Sequence, residues 1–416
     1  MKKICLILAM MLGLSGAAKA QWELSSNGIS SKYNISITSL GVSGSKIIAG
    51  TGYDAEGNGV FYSSNNGSSW TQINNGLPNL GIPCVAILGE KFFAGSQCNG
   101  SLCNGIYSST DNGTTWKNCN HGILDNSFIQ TLKVENSIIY AGTSKGLYIS
   151  KDTGNSWKLL NQKFAGINIM KISVSDSMIL VRTYTGLYLS SDYGNSWIDI
   201  HPPQLQLYSI AVKSDSIFFS YDSLYYSVGF YFSSDKGKSW KKSVENGFIS
   251  YIMTILPLQN LILIGYWKGG VYVSSNLEKA WIPRNTGLTG YGSEVIDLAY
   301  NEEYIFAGTE GGIYRAKLSD FGISSAKVST SSYKEAISIS PNPASDYITI
   351  TNDQLQITNV EIYNAYGERM IRKTSDVWQT SDVSTRIDIS SLPSGIYYCC
   401  ISAGTQRITK SFVVMR

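Results

Sequence analysis

A glycine followed by an apolar residue and an aromatic recurs seven times along this chain: Gly59-Val-Phe61, Gly105-Ile-Tyr107, Gly146-Leu-Tyr148, Gly186-Leu-Tyr188, Gly229-Phe-Tyr231, Gly270-Val-Tyr272 and Gly312-Ile-Tyr314. Successive glycines are 46, 41, 40, 43, 41 and 42 residues apart. A period this regular means one supersecondary unit per repeat, each too small to bury its own apolar face and so stacked on its neighbours. Upstream of the glycine lies a second apolar stretch, as in Lys46-Ile-Ile-Ala-Gly-Thr51 and Tyr304-Ile-Phe-Ala-Gly-Thr309, and before it another, as in Val295-Ile-Asp-Leu-Ala299. Downstream, a turn leads to a tryptophan at 70, 116, 157, 197, 240 and 281.

Four short strands in ~40–45 residues are the signature of a propeller blade. The reading is an all-β chain: a seven-bladed β-propeller over 21–320, then a small sandwich. Charged residues are only 15%, against the usual ~25%, with 40 Gly and 27 Tyr, which suits short strands and tight turns. The seventh unit ends at Leu318 without a tryptophan, whereas Trp22-Glu-Leu-Ser-Ser-Asn-Gly28 resembles Trp70-Thr-Gln-Ile-Asn-Asn-Gly76. The N-terminal strand should therefore complete the last blade, because an open array leaves an unpaired strand edge.

Residues 1–20 read as a signal peptide: Lys2 and Lys3, an apolar run from Ile4 to Leu14, and Ala18-Lys19-Ala20 before Gln21. The run is shorter than the ~20 residues of a spanning helix. Cleavage removes three lysines of the 33 basic residues, leaving 30 against 30 acidic, so neither nucleic acid nor anionic membrane is an expected partner. Export permits disulfides. Cys98 and Cys103, in one Gly/Asn-rich loop, are the first candidate pair and Cys84 with Cys119 the second. Cys399 and Cys400 are adjacent and should point to opposite faces of a strand.

Four of the turns match Ser-x-Asp-x-Gly-x-x-Trp, with Asp111, Asp152, Asp192 and Asp235 at the acidic position; Asn65 replaces the acid in a fifth. The turn before Trp281 is degenerate. These hairpins resemble the Asp-box (BNR) repeats of sialidases and other propellers. The carboxylate accepts backbone N–H bonds within the turn and the glycine supplies a positive φ, so these residues are structural, not catalytic. The resemblance fixes no activity, since that group spans sialidases, xyloglucan hydrolases, sorting receptors and photosystem assembly factors. A sialidase is disfavoured: the propeller's arginines are Arg182, Arg284 and Arg315, no Phe-Arg-Ile-Pro-like sequence stands near the N-terminus, and sialidases have six blades.

Ser-rich residues 321–336 read as a linker. From 337 to 416 the alternation suits a small immunoglobulin-like sandwich. Pro341-Asn342-Pro343, Tyr363 to Gly367, Leu392-Pro-Ser-Gly395-Ile-Tyr397 and Lys410 to Val414 resemble the type A C-terminal sorting domain of the type IX secretion system. That resemblance implies the type IX machinery as a partner. It also implies a Gram-negative source, Sec export to the periplasm, and release or attachment at the outer cell surface.

The meander places the second-to-third loops and the inter-blade links on the face opposite the Asp hairpins, where propellers usually bind ligands. The candidate ligand-binding residues there are Tyr53, Asp54, Glu56, Tyr184, Tyr266, Trp267, Lys268 and Glu310. Lys145, His121, His201, Tyr208 and Tyr291 share that face. Aromatics among carboxylates and amides suit stacking on sugars or a protein hot spot. Asp54-Ala-Glu56-Gly-Asn58-Gly59 lacks the distal acid of a calcium loop, so no metal is expected. No cofactor is expected either, and no catalytic set can be defended. The reading is a monomeric, non-catalytic glycan- or protein-binding module. The alternative is a glycoside hydrolase or related carbohydrate-active enzyme using paired carboxylates on the loop face. The mature N-terminus should be Gln21, which intact-mass analysis of the secreted protein checks.

Overall fold

Seven antiparallel four-stranded sheets succeed one another along the chain, each one repeat long. The computed structural model describes residues 21–29, 35–52, 57–99, 102–103, 105–200, 207–222, 228–244, 251–279, 281–323, 337–352, 357–364, 368–374, 384–403 and 406–416. The chain divides into two compact units, Met1–Ser325 and Ala326–Arg416. In the first, the innermost strands are Ile37–Ser43, Cys84–Leu88, Ile129–Glu135, Ile169–Ser175, Leu207–Lys213, Ile252–Leu258 and Val295–Tyr300. Each packs on the next, and Val295–Tyr300 packs on Ile37–Ser43, so the ring is closed. Glu23–Leu24 pairs antiparallel with Gly312–Lys317, placing Glu23 opposite Arg315 and Leu24 opposite Tyr314. The N-terminal strand therefore completes the seventh blade, as the sequence predicts.

The two faces are distinct. Hairpins between first and second strands meet those between third and fourth: the Asn66 amide donates to the Ser45 carbonyl and that of Tyr193 to Ser177. On the opposite face second-to-third loops meet inter-blade links, as Glu310 N–H to Glu294 and Trp267 N–H to Tyr251 show.

Each Asp hairpin is a closed hydrogen-bond unit. In blade 2 the Ser109 hydroxyl donates to Asp111 at 2.6 Å and accepts from the Gly113 amide at 2.8 Å. The other Asp111 bonds come from the Thr115 amide and hydroxyl at 2.9 and 2.6 Å. In blade 1 the Asn65 amide instead donates to the Ser69 hydroxyl at 2.9 Å, reversing one bond and keeping the turn. The residue before the glycine is also left-handed, at φ 55° for Asn112 and 60° for Tyr193.

The tryptophans join blades. The Trp116 indole donates to the Ile73 carbonyl at 2.6 Å, Trp157 to Cys119 at 2.8 Å and Trp22 to Arg284 at 2.6 Å, each acceptor lying in the preceding blade. Trp197 instead bonds within its own hairpin, to Gly194 at 2.9 Å. A second pattern follows the tryptophan. Asn74, Asn120 and Asn285 accept from the amides of Val60, Ile106 and Val271 at 2.8, 2.6 and 2.7 Å. They occupy the space a Cβ would need at Gly59, Gly105 and Gly270, which all have positive φ. Two residues on, Gly76 lies at φ +93°, and its Cβ would stand 2.4 Å from the Trp116 carbonyl of the next blade. At Gly59, Gly105, Gly270 and Gly76 glycine is thus required by contact as well as by conformation.

The expected linker start at 321 is displaced. A 3-10 turn spans Leu318–Phe321, and Phe321 packs edge-on against Trp22 at 5.9 Å. Phe321 and Ile323 are buried, so the chain stays with the propeller through Ile323, because exposing these apolar side chains would be unfavourable.

The second unit has sheets of three and four strands, ordered Ile337–Ser340, Tyr347–Asn352, Ser384–Asp388 and Arg369–Thr374, Ile357–Asn364, Gly395–Ala403, Gln406–Val414. Ile348, Ile350, Val360, Ile362, Ile387, Cys399, Ile401 and Phe412 form its core. Cys399 is buried and Cys400 half-buried, on alternate faces, and neither is disulfide-bonded.

Gly76→Ala should destabilise the propeller by at least about 1 kcal/mol, from strain at positive φ and the clash with Trp116. Trp116→Phe should cost about 0.5–1.5 kcal/mol for the lost indole bond. Denaturant unfolding of each variant against wild type measures both.

Candidate ligand-binding face

The inner strands set the site. Six of the seven carry a register shift near their start, between Ile37/Ser39, Ile129/Thr131, Ile169/Lys171, Leu207/Ile210, Ile252/Thr254 and Val295/Asp297. A bulge frees one backbone group and re-aims the next side chain. At this level Asp297 accepts from the Leu40 amide at 2.9 Å and Ser39 from the Val85 amide at 3.2 Å, capping the neighbouring blade. Lys171 does something different. Its ammonium donates to the Met253 carbonyl at 3.1 Å, from the fourth blade to the sixth, and so reaches across the channel. Burial pushes its pKa down to about 8; Asp297 opposes that shift, while Lys133 and Arg182 add to it.

Directly across the strand pair from Lys171, Arg182 donates to the Tyr208 carbonyl of the next blade at 3.0 Å. Tyr208 stacks on Tyr251, with centroids 5.0 Å apart and planes at 21°. Tyr184, on the turn after Arg182, is 73% exposed. Blades 4 to 6 thus present an arc of tyrosines around a guanidinium. On blade 7 Tyr291 is also exposed, and the character turns acidic. Glu310 accepts from the Ser36 hydroxyl at 3.1 Å. Burial raises its pKa, the Ser36 bond lowers it, and the charge of Glu294 raises it further.

The expected residues divide accordingly. Tyr184, Trp267, Lys268 and Glu310 lie on loop-face turns, Lys268 at φ +67°. Tyr266 does not belong with them: it ends the strand Leu261–Tyr266, is 2% exposed, and its ring packs on Tyr272 at 5.1 Å. Strand alternation turns it into the inter-blade core, while Trp267, on the turn, is half-buried. Tyr53, Asp54, Glu56 and His201, like the Ala20 side of the cleavage site, lie outside the described residues. Gln21 is described and half-buried. His121, Lys145 and Tyr291 sit on links or turns of this face, whereas Tyr208, expected on a link, is the second residue of the inner strand Leu207–Lys213.

Cys98 is disulfide-bonded, and its register partner across a two-residue ladder is Cys103, whose side chain lies outside the described residues. The second candidate pair is overturned. Cys84 and Cys119 are both free, with sulfurs near the carbonyls of Ile129 and Ile106, and burial pushes their thiols up to about 12 and about 11. Among the described residues no group of three or more His, Cys, Asp or Glu could hold a metal ion. No described helix is long and apolar enough to cross a membrane.

Sequence reasoning missed Lys171, Arg182, Tyr251 and Glu294. Nothing in the pattern distinguishes them from other strand and link residues. Their roles depend on which inner strand faces which across the ring.

Residues 338–415 match the family of secretion system C-terminal sorting domains. The second unit is therefore a sorting domain, which implies secretion or surface attachment. No curated protein matches the chain in sequence. Among solved structures it is similar to PorZ, described as a surface component of the type IX secretion system of Porphyromonas gingivalis. The identity is 14% and the TM-score 0.51, over 92% of this chain and 59% of that one. The chain thus spans little more than half of PorZ. It is also similar to YCF48 bound to D1 peptide, at 13% identity and TM-score 0.57 over 71% and 96%. A third similar structure is the GH74 xyloglucanase of Xanthomonas campestris, at 17% identity and TM-score 0.50 over 66% and 51%. At such identities the shared property is the propeller fold.

Two opposite pH slopes follow. Hydrogen bonds from Ser109 and Thr115 pull Asp111 down to about 2, and those from Ser239 and Ser233 do the same for Asp235. Their stabilisation should be complete above pH ~4, the unfolded value, and be lost as pH falls toward 2. Glu310 has the reverse sign: its contribution is complete below pH ~4.3 and drains as pH rises through its raised folded value. Thermal melts from pH 2 to 7 should show both slopes, and Glu310→Gln should flatten only the upper one.

Proposed function

We propose that this chain is an exported propeller that binds a glycan or protein ligand on its loop face. The type IX system would deliver it through the sorting domain, by way of Sec and the periplasm, to the surface or the medium of a Gram-negative cell. The hairpins are taken to be Asp-box repeats with a structural role, and the protein to act as a monomer. The observation that carries the reading is the aromatic arc. Tyr184 is largely exposed, and beyond it Tyr251 stacks on Tyr208 beside the Arg182 guanidinium, around the mouth of a closed ring. Exposed planar rings set on rigid turns bind sugar faces or anchor a partner's apolar side chains at low entropic cost. Delivery to the exterior puts such a surface where polysaccharides and other surface proteins are its ligands.

A second reading, glycoside hydrolysis, is favoured by one feature. Glu310 and Glu294 lie on adjoining loop-face segments, and Glu310 is held toward its protonated form partly by its neighbour. Two carboxyl groups on one face are what acid-assisted glycoside cleavage uses.

The test is the full mature chain on an array of polysaccharides, with bound material analysed for cleavage products. Binding without cleavage, weakened roughly tenfold by Tyr184→Ala through lost stacking, is the expected result. Cleavage abolished by Glu310→Gln would replace the binding reading with the hydrolase. Retention of no polysaccharide would leave protein ligands.

A further inference from the structure

A cavity of about 320 Å³ opens on the loop face where blade 2 hands over to blade 3, away from the tyrosine arc. Its wall is the link from Asn120 to Ser127, closed at the back by Gly105. The link is pinned throughout. The Trp157 amide donates to the His121 carbonyl at 2.8 Å, and Ile123 N–H to Asn120 at 2.8 Å. The Ser127 hydroxyl donates to the Leu124 carbonyl, and the Ser144 amide to Phe128 at 2.9 Å. The Lys145 ammonium donates to the Asp125 carbonyl from the next blade's turn. Asn126 holds φ 55°.

The lining chemistry is specific. Ile123 is buried, whereas Leu124 is 56% exposed, so one wall is apolar. Asp125 and Asn126 stand exposed at the rim, and no lining residue is basic. The volume is at the small end of the roughly 300–1,000 Å³ typical of small-ligand sites. Apolar Ile123 and Leu124 together with a carboxylate and an amide match a pyranose, which has a C–H face and hydroxyls that can donate to Asp125 and bond with Asn126. Asp125 in the lining disfavours a uronate, and the nearby Lys145 ammonium is engaged by the Asp125 backbone carbonyl.

We propose that this cavity is a binding site for an uncharged pyranose, one or two rings long, with Asp125 and Asn126 as its polar contacts and Leu124 as its platform. The proposal rests on the glycan form of the reading above and adds a second contact point to it, distinct from the tyrosine arc. Because the link is held at both ends by the blade framework, little ordering is lost on binding.

The experiment presents the full chain with arrayed neutral and uronate-bearing oligosaccharides and repeats it with Asp125→Ala, Asn126→Gly and Tyr184→Ala. Asn126→Gly keeps the positive φ while removing the amide, so it tests chemistry without disturbing the turn, and thermal melting confirms folding. Expected is binding of neutral probes that weakens about tenfold in Asp125→Ala, the scale of a lost hydrogen bond to a charged group, and falls also in Asn126→Gly. Binding unchanged in both, or preference for uronates, overturns the cavity as the site. Loss confined to Tyr184→Ala does so too, while leaving the glycan reading standing. Retention of no oligosaccharide overturns both together.

Discussion

Everything in the propeller depends on the seam between one blade and the next. A blade's outer strand is often only two residues, as in Thr71–Gln72 and Lys117–Asn118, too short to hold a sheet edge by itself. The tryptophan that opens it resolves this. Its indole lies under the hairpin, its N–H reaches a carbonyl of the preceding blade, and its own backbone is gripped by the asparagine-glycine corner of that blade. Trp116 makes all three contacts, to Ile73, Asn75 and Gly76. Packing and hydrogen bonding are then satisfied by the same residue, and the cost of an unpaired indole in the core is avoided. At the junction with the N-terminal strand Trp22 repeats the arrangement against Arg284 and Gly287. The joint that closes the ring is therefore built like the others.

Closure leaves two faces with separate tasks. One is occupied by Ser-Asp-Gly hairpins whose polar atoms satisfy one another, which leaves their carboxylates little left to offer a ligand. The other carries the connections, freer in length and composition. There the tyrosines gather on blades 4 to 6 and the carboxylates on blade 7. Lys171 joins them from the inner strand of blade 4, its ammonium on the Met253 carbonyl of blade 6. A rigid frame with variable loops is the usual division between scaffold and site.

The sorting domain stands apart in composition and in core. Its sheets enclose a core that includes Ile348, Ile362, Ile401 and Phe412. Its Asn342, between two prolines, accepts from the Val413 amide at 2.9 Å and so ties the start of the unit to its last strand. The motif residues of this domain thus serve its fold, and the exported propeller and the signal that exports it are separate constructions on one chain.

Blade number, the closing strand and the turn motif were legible in the sequence because each is a local pattern repeated at a fixed period. Any blade that departs from it, such as the degenerate turn before Trp281, is corrected by its neighbours. The asparagine-glycine corner was there to be read at Asn74-Asn-Gly76 and Asn120-His-Gly122, but its meaning needs the next blade's carbonyl. What the tertiary structure alone decided is the face each loop residue presents. Tyr266 and Trp267 are adjacent in sequence, yet one strand ends between them, leaving the first in the core and the second half-buried on the turn. Glu310 meets Glu294, and Lys171 meets Met253, only because the ring brings distant strands together. Periodicity determines what packs, since burial repeats with the strand. Which side chains converge at the mouth depends on distances across a closed circle, and no local pattern records those.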